Sequence, residues 1–239
     1  MSSPLIVVLD RPQNPANIGA VVRAMRNLDV GTLRLVDPAP FAREDLLRYA
    51  HRCEEQVAAI TVYADVADAV ADAIYVVGTA ALVHPDRPYT SDVRGLAAEL
   101  TVRGRTGSVA LLFGTEGDGL DRAALDHCHL VASLPVNPDY PALNLAQSVL
   151  LFLYELRLAR ETPLPLPSFP AESAAPARQV ELEQLFRLTE ALLHDVDYFR
   201  YSPETVMRSL RNLAYRAELT SDEAAMLMGM VRKLMQRMQ

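Results

Sequence analysis

The chain has 239 residues, of which half are apolar and 22% charged, with 10 glycines and 16 prolines. Such a composition excludes a disordered or collagen-like chain and suits one large domain, or a domain of about 150 residues plus a small one. A formal net charge of −7 excludes a surface uniformly coated in positive charge for nonspecific nucleic-acid binding.

The charge is unevenly spread. Residues 1–162 hold 14 basic and 20 acidic side chains, a net of −6, whereas residues 178–239 hold 9 of each. Lys233 is the one lysine, and the other 22 basic residues are arginine. The arginine fork suits bidentate phosphate contacts, which leaves room for a local RNA-binding patch; genome composition accounts for the excess equally well. No run of about 18 uncharged apolar residues occurs, and Met1 to Asp10 lacks the basic flank and apolar length of a signal peptide. The expectation is a cytoplasmic protein with no membrane partner.

Leu5 to Asp10 (LIVVLD) reads as a buried strand, and Asn14 before Pro15 reads as a helix start with Asn at the cap and Pro in the first turn. In that helix Ile18, Val21, Val22, Met25 and Leu28 share a stripe of roughly 120°, as a sheet-covering helix requires. Gly19, Arg23 and Arg26 then fall on the opposite side. Further strands are predicted at Thr32 to Asp37, Ile60 to Tyr63, Ile74 to Gly78, Ser108 to Gly114 and Leu130 to Val136, with helices between several of them. Continuous apolar strands alternating with helices predict an α/β domain with a mainly parallel sheet.

Only Cys53 and Cys128 are present, with no CxxC pair, so no disulfide framework is expected. His127-Cys128-His129 leads into a strand, where neighbours point to opposite faces, and no further ligands lie nearby in sequence; no metal is expected there. Leu143 to Arg160 contains VLLFLYEL, apolar around most of its circumference. Such a helix is buried on more than one side, by its own sheet and by a second subunit, or it is simply central to one domain. Thr162 to Ala177, with prolines at 163, 165, 167, 170 and 176, reads as a semi-extended linker. Helices follow at Gln179 to Val196, Pro203 to Ala217 capped by Ser202, and Ser221 to Met238 with Thr220 and Glu223 at capping-box spacing. The division is 1–161, a linker over 162–177, and a helical extension over 178–239 that binds RNA or supports a dimer.

Three segments carry the chemistry: NIGAVVRA at Asn17 to Ala24, LLFGTEGDGL at Leu111 to Leu120, and LPVNPDYPALNLAQS at Leu134 to Ser148. In the second a buried strand ends in a loop with Gly114, Gly117 and Gly119, where glycine permits close approach of backbone to a ligand; Gly-rich turns after strands are also common. Glu116 is placed to orient a ligand or Arg23. Asn17 can hydrogen-bond a polar ligand or satisfy free backbone groups at the helix start. In the third, Pro138 and Pro141 stiffen a loop and Asn144 stands at a helix start, as a ligand-wrapping loop or any ordered connection would. DRPQNPANIG after the first strand lacks G-x-G-x-x-G, which disfavours a nicotinamide site.

In this order the three segments resemble the motifs of the SPOUT superfamily of S-adenosylmethionine-dependent RNA methyltransferases, in its TrmH/TrmJ ribose-methylating branch. The likeness covers about residues 5–160, and RSLRNLAYRAELTSDEAAMLMGMVRKL resembles the helical extension of the TrmJ members. The resemblance implies an α/β fold with a C-terminal trefoil knot and a homodimer whose cofactor pockets lie close to the subunit interface. It implies S-adenosylmethionine lined by Thr79, Ala80, Gly114, Leu134, Ala142 and Leu143. Arg23, Asn17, Glu116 and Asn144 would face the reacting ribose. The implied activity is 2′-O-methylation of an anticodon-loop nucleotide of tRNA, with ribosomal RNA as the alternative substrate and a noncatalytic knotted RNA-binding dimer as the alternative class. The family commonly carries a serine two positions before the third-motif Asn; here that position is Ala142, so the hydroxyl is absent.

Overall fold

The computed structural model describes residues 5–81, 86–161, 175–199 and 202–238. Strand β1 (Leu5–Asp10) is buried along its whole length, because it has a parallel neighbour on each edge and helices on both faces. Asn14 then caps α1 (Pro15–Asn27), its side chain accepting the Ala16 N–H at 2.9 Å. The chain continues through β2 (Thr32–Val36), α2 (Arg43–Leu47), α3 (Glu54–Ala58), β3 (Thr61–Tyr63), α4 (Val66–Ala69) and β4 (Ala73–Thr79). After β5 (Tyr89–Thr90) come α5 (Val93–Arg103), β6 (Ser108–Phe113), α6 (Arg122–Leu125), β7 (Leu130–Ala132) and α7 (Leu145–Glu161). The last helices are α8 (Gln179–Asp195), α9 (Pro203–Ala217) and α10 (Ser221–Met238).

The seven strands form one sheet in the order β3-β2-β1-β6-β4-β7-β5, every pair parallel. Alternate strand residues feed two cores. Leu5, Val7 and Leu9 of β1 pack with Ile18 and Val22 of α1 and Phe152 of α7, whereas Ile6 and Val8 pack with Val66, Val70 and Leu125 on the other face. The order places the carboxyl ends of β1, β6, β4 and β7 side by side, so the loops that follow them meet at one edge of the sheet.

On the side of α1 that Gly19 shares with the exposed Arg23 and Arg26, Gly19 is buried because α2 packs against α1 there; a Cβ on Gly19 would lie 2.6 Å from the Leu46 carbonyl oxygen. One expectation needs correction: the strand predicted over Leu130 to Val136 ends at Ala132. Beyond it the Ser133 hydroxyl donates to the Ala80 carbonyl at 2.6 Å and Pro135 has no N–H to continue a ladder, so the chain leaves the sheet. The two-residue β5 was not predicted, being too short to show a period.

Residues 162–174 of the Pro-rich linker lie outside the described residues. Its end, Ala177, donates its N–H to the Leu219 carbonyl, and α8 to α10 then build a small core around Leu182, Phe186, Met207, Tyr215 and Ala224. That core is fastened to the sheet through the His127-Cys128-His129 segment. The His129 ring stacks between Tyr75 (4.9 Å) and Tyr215 (4.2 Å) and accepts the Val76 N–H on Nδ1. Burial pushes its imidazole down to about 3, so it packs as a neutral ring. Cys128 lies buried beneath Gly78, and His127 Nδ1 sits 3.2 Å from Glu183 of α8.

Glu183 is the electrostatic anchor of this docking. Burial alone would raise its carboxyl, but contacts with His127 and a two-pronged pairing with Arg211 of α9 outweigh it and hold the group down to about 2. A folded-state pKa below the unfolded value gives stability that is complete above the unfolded pKa of about 4.3 and is lost as pH falls through the folded one. Denaturant unfolding should therefore show stability falling from pH 5 towards pH 2, and Glu183→Gln should flatten that slope. An unchanged slope in the variant would assign the acid sensitivity to other carboxylates.

Candidate functional site

The loops after β4, β6 and β7 enclose a cavity of about 360 Å³, a size within the range of small-ligand sites. Thr79, Ala80, Gly114, Leu134, Ala142 and Leu143, the six residues predicted to line a cofactor, all line it, as does Glu116. They meet because β4, β6 and β7 are adjacent and parallel.

The β6 loop owes its shape to glycine. Thr115 and Gly119 exchange backbone hydrogen bonds of 3.1 Å each way, and Gly119 takes φ +70°, which folds the loop back over Gly114. A Cβ on Gly114 would stand 2.0 Å from the Gly119 carbonyl carbon and 2.2 Å from the Leu120 nitrogen. Gly114 is thus required by the loop's own fold, and the loop in turn walls the cavity.

Polar side chains from all three segments form one chain of hydrogen bonds. Asn144 caps α7, its Oδ1 accepting the Ala146 N–H at 2.9 Å, and its Nδ2 donates to Asn17 Oδ1 at 2.9 Å. Asn17 Nδ2 in turn donates to Glu116 Oε1 at 3.0 Å. Glu116 also accepts the N–H groups of Gln13 (2.9 Å) and Asn14 (3.1 Å) ahead of α1. Burial tends to raise the Glu116 carboxyl, but the hydrogen bonds from Asn17, Gln13 and Asn14 prevail and hold it below the usual carboxylate range. Glu116 therefore carries a fixed negative charge at the cavity, oriented by the start of α1 and not by Arg23.

Arg23, Asn17 and Asn144 do not line the cavity. Arg23 projects from the exposed side of α1, and its guanidinium has no hydrogen bond or ion pair among the described residues. Among the lining residues not singled out in the sequence are Phe113 at the end of β6, and Leu145, Ser148 and Phe152 of α7. The α7 trio follows helical spacing, a signal that becomes usable once the face towards the cavity is known. Phe113 and Phe152 meet edge-to-face at 5.8 Å. Among the described residues no cluster of three or more His, Cys, Asp or Glu is placed to hold a metal ion, and no helix is long and apolar enough to cross a membrane.

Apolar walls from Phe113, Leu134, Leu143 and Phe152, open backbone at Gly117, and the ionised Glu116 suit a ligand with a flat apolar part and a positive charge. S-adenosylmethionine, with its adenine, sulfonium and ammonium groups, has that chemistry.

Comparison with known proteins agrees with this geometry. The SpoU rRNA Methylase family matches residues 4–154. An uncharacterized tRNA/rRNA methyltransferase of Haemophilus influenzae is 31% identical over 231 residues, covering 94% of this chain and 92% of that protein. The tRNA (cytidine/uridine/adenosine-2'-O-)-methyltransferase TrmJ of Pseudomonas aeruginosa is 30% identical over 241 residues, covering 94% and 91%. The crystal structure of TrmJ from Zymomonas mobilis superposes with a TM-score of 0.81 at 31% identity, covering 96% of this chain and 98% of that one.

Proposed function

Since the chain belongs to the SpoU rRNA methylase family, we propose that it is an S-adenosylmethionine-dependent methyltransferase acting on a ribose 2′-hydroxyl of tRNA, in the anticodon loop. The observation that carries this reading is the joining of all three motif segments, through Asn144, Asn17 and Glu116, at the cavity that the six cofactor residues line.

When bound, the cofactor supplies a methyl group on a sulfonium, with a neutral thioether as leaving group. Thr79, Ala80, Gly114, Leu134, Ala142 and Leu143, which line the cavity, would hold it. The protein's own task is to fix the ribose hydroxyl in line with that methyl and to stabilise the charge that grows on O2′ as its proton departs to solvent. A guanidinium stays protonated above pH 12, so Arg23 acts as a donor to the developing alkoxide and to the neighbouring phosphate, not as a base. With no partner among the described residues, its donors are available for that work. Glu116 and the two asparagines keep the start of α1, and with it the Arg23 helix, in register with the cavity.

Residues 1–161 form the catalytic part of this proposal, 162–177 the connection, and 178–239 the RNA-binding or dimer-supporting part. A homodimer is supported by α7, where Leu150, Leu151 and Tyr154 are 40–50% exposed on one side of a helix whose other side walls the cavity. A tRNA substrate supports a cytoplasmic location.

Incubation with labelled S-adenosylmethionine and unmodified tRNA transcripts tests the reading. Label should enter tRNA and not protein-free ribosomal RNA. Label in ribosomal RNA alone would change the substrate, and no label in either RNA, with the cofactor bound, would make the protein a noncatalytic knotted module.

A further inference from the structure

We propose that Tyr140 is a stacking platform for an unpaired nucleobase of the RNA substrate at the mouth of the cofactor cavity; the inference rests on RNA being the substrate. At 77% exposure Tyr140 is the most exposed large apolar side chain among the described residues. Loop tips usually carry small or polar residues, because an exposed ring forgoes the gain of burying its area.

The loop does not hold this ring slackly. Tyr140 donates its N–H to the Asn137 carbonyl at 3.0 Å, closing a four-residue turn, and Asp139 donates its N–H to Asn137 Oδ1 at 3.0 Å. Pro138 occupies the second position of that turn, where its fixed φ pre-organises the bend. Both ends of the loop belong to the cavity wall: Leu134 on one side, and Pro141, Ala142 and Leu143 on the other. A short, pre-ordered turn thus presents an aromatic face beside the site and to solvent.

The partner is a base and not a phosphate. Residues 133–144 (SLPVNPDYPALN) contain no basic side chain, and Asp139 next to the ring repels phosphate. An aromatic face on a loop that carries no basic residue recognises a π surface, and in RNA such surfaces are free only where bases are unpaired. Because every base has a π face, this contact anchors the loop nucleotide with little regard to its identity.

The chain has no tryptophan, so Tyr140→Trp introduces a single indole as a fluorescent reporter. Titration with an unmodified tRNA transcript should quench that fluorescence, and a blunt RNA duplex should not. Tyr140→Ala should raise KM for tRNA by about 10- to 100-fold with the calorimetric Kd for S-adenosylmethionine unchanged, and Tyr140→Phe should behave as the unaltered protein. Equal quenching by duplex, no quenching by tRNA, or a loss of cofactor affinity in Tyr140→Ala with tRNA KM unchanged would overturn the proposal; the last would make the ring a cofactor lid. If the unaltered protein methylates tRNA and Tyr140→Ala matches it, the platform alone fails. If the unaltered protein neither binds nor methylates RNA, the functional reading fails with it.

Discussion

Arg23→Ala should lower methyl transfer by at least about 10²- to 10³-fold, the cost of removing one donor aimed at a developing oxyanion, while the affinity for S-adenosylmethionine changes by no more than a few-fold. Arg23 lies on the exposed side of α1, outside the cavity lining, so nothing in its position supports cofactor binding. Its guanidinium has no partner among the described residues, so its removal leaves no buried charge stranded. Arg23→Lys keeps the charge but loses the fork that can span an alkoxide and a phosphate together, and it should recover only part of the rate. Calorimetry for the cofactor beside single-turnover transfer separates the effects. A large loss of cofactor affinity in Arg23→Ala would place the side chain in the cofactor site, and an undiminished rate would remove it from the chemistry.

Gly114→Ala should abolish cofactor binding and destabilise the fold by about 3 kcal/mol, the upper end of ordinary overpacking costs. The added methyl would meet backbone, not the end of a flexible side chain: the Gly119 carbonyl lies 2.0 to 2.2 Å away, and the Leu120 nitrogen 2.2 Å. Relief requires opening the paired hydrogen bonds between Thr115 and Gly119, and with them the wall formed by the β6 loop. Gly117→Ala in the same loop is the control, because its Cβ would meet nothing within 4 Å; its thermal stability should match the unaltered protein. A Gly114→Ala protein that melts and binds the cofactor normally would show that the loop can adopt another path.

Much of this was legible in the residues. β1, the start of α1 and the last three helices carry strong local signals: a continuous apolar run, an Asn-Pro cap, and helical periodicity. The capping box of Thr220 and Glu223 forms at α10, while Ser202, expected to cap α9, turns its hydroxyl to Glu204 and makes no side-chain cap bond. The six cofactor positions came from the family resemblance, and sheet order explains why they meet: β6 pairs between β1 and β4, a long-range choice that no local pattern encodes. For the same reason the hydrogen bonds joining Asn17 to Glu116 and to Asn144 were hidden, since they span 99 and 127 residues of sequence. The cover over Gly19 was not legible, because a helix stripe shows which side faces the sheet but not that a second helix covers the other. The partners of His127 and His129, namely Glu183 and the rings of Tyr75 and Tyr215, were hidden as well, since none is near them in sequence. The missing hydroxyl at Ala142 leaves a methyl in the cavity wall. The hydrogen-bond chain through Asn144, Asn17 and Glu116 is complete without it.

The transferred methyl should reside on a ribose oxygen of tRNA. Alkaline hydrolysis of tRNA labelled by this protein tests it directly, because a methylated 2′-oxygen cannot attack the adjacent phosphodiester. The label should survive in an alkali-resistant dinucleotide from the anticodon loop. Label recovered instead in alkali-released mononucleotides, with the methyl on a base, would contradict it.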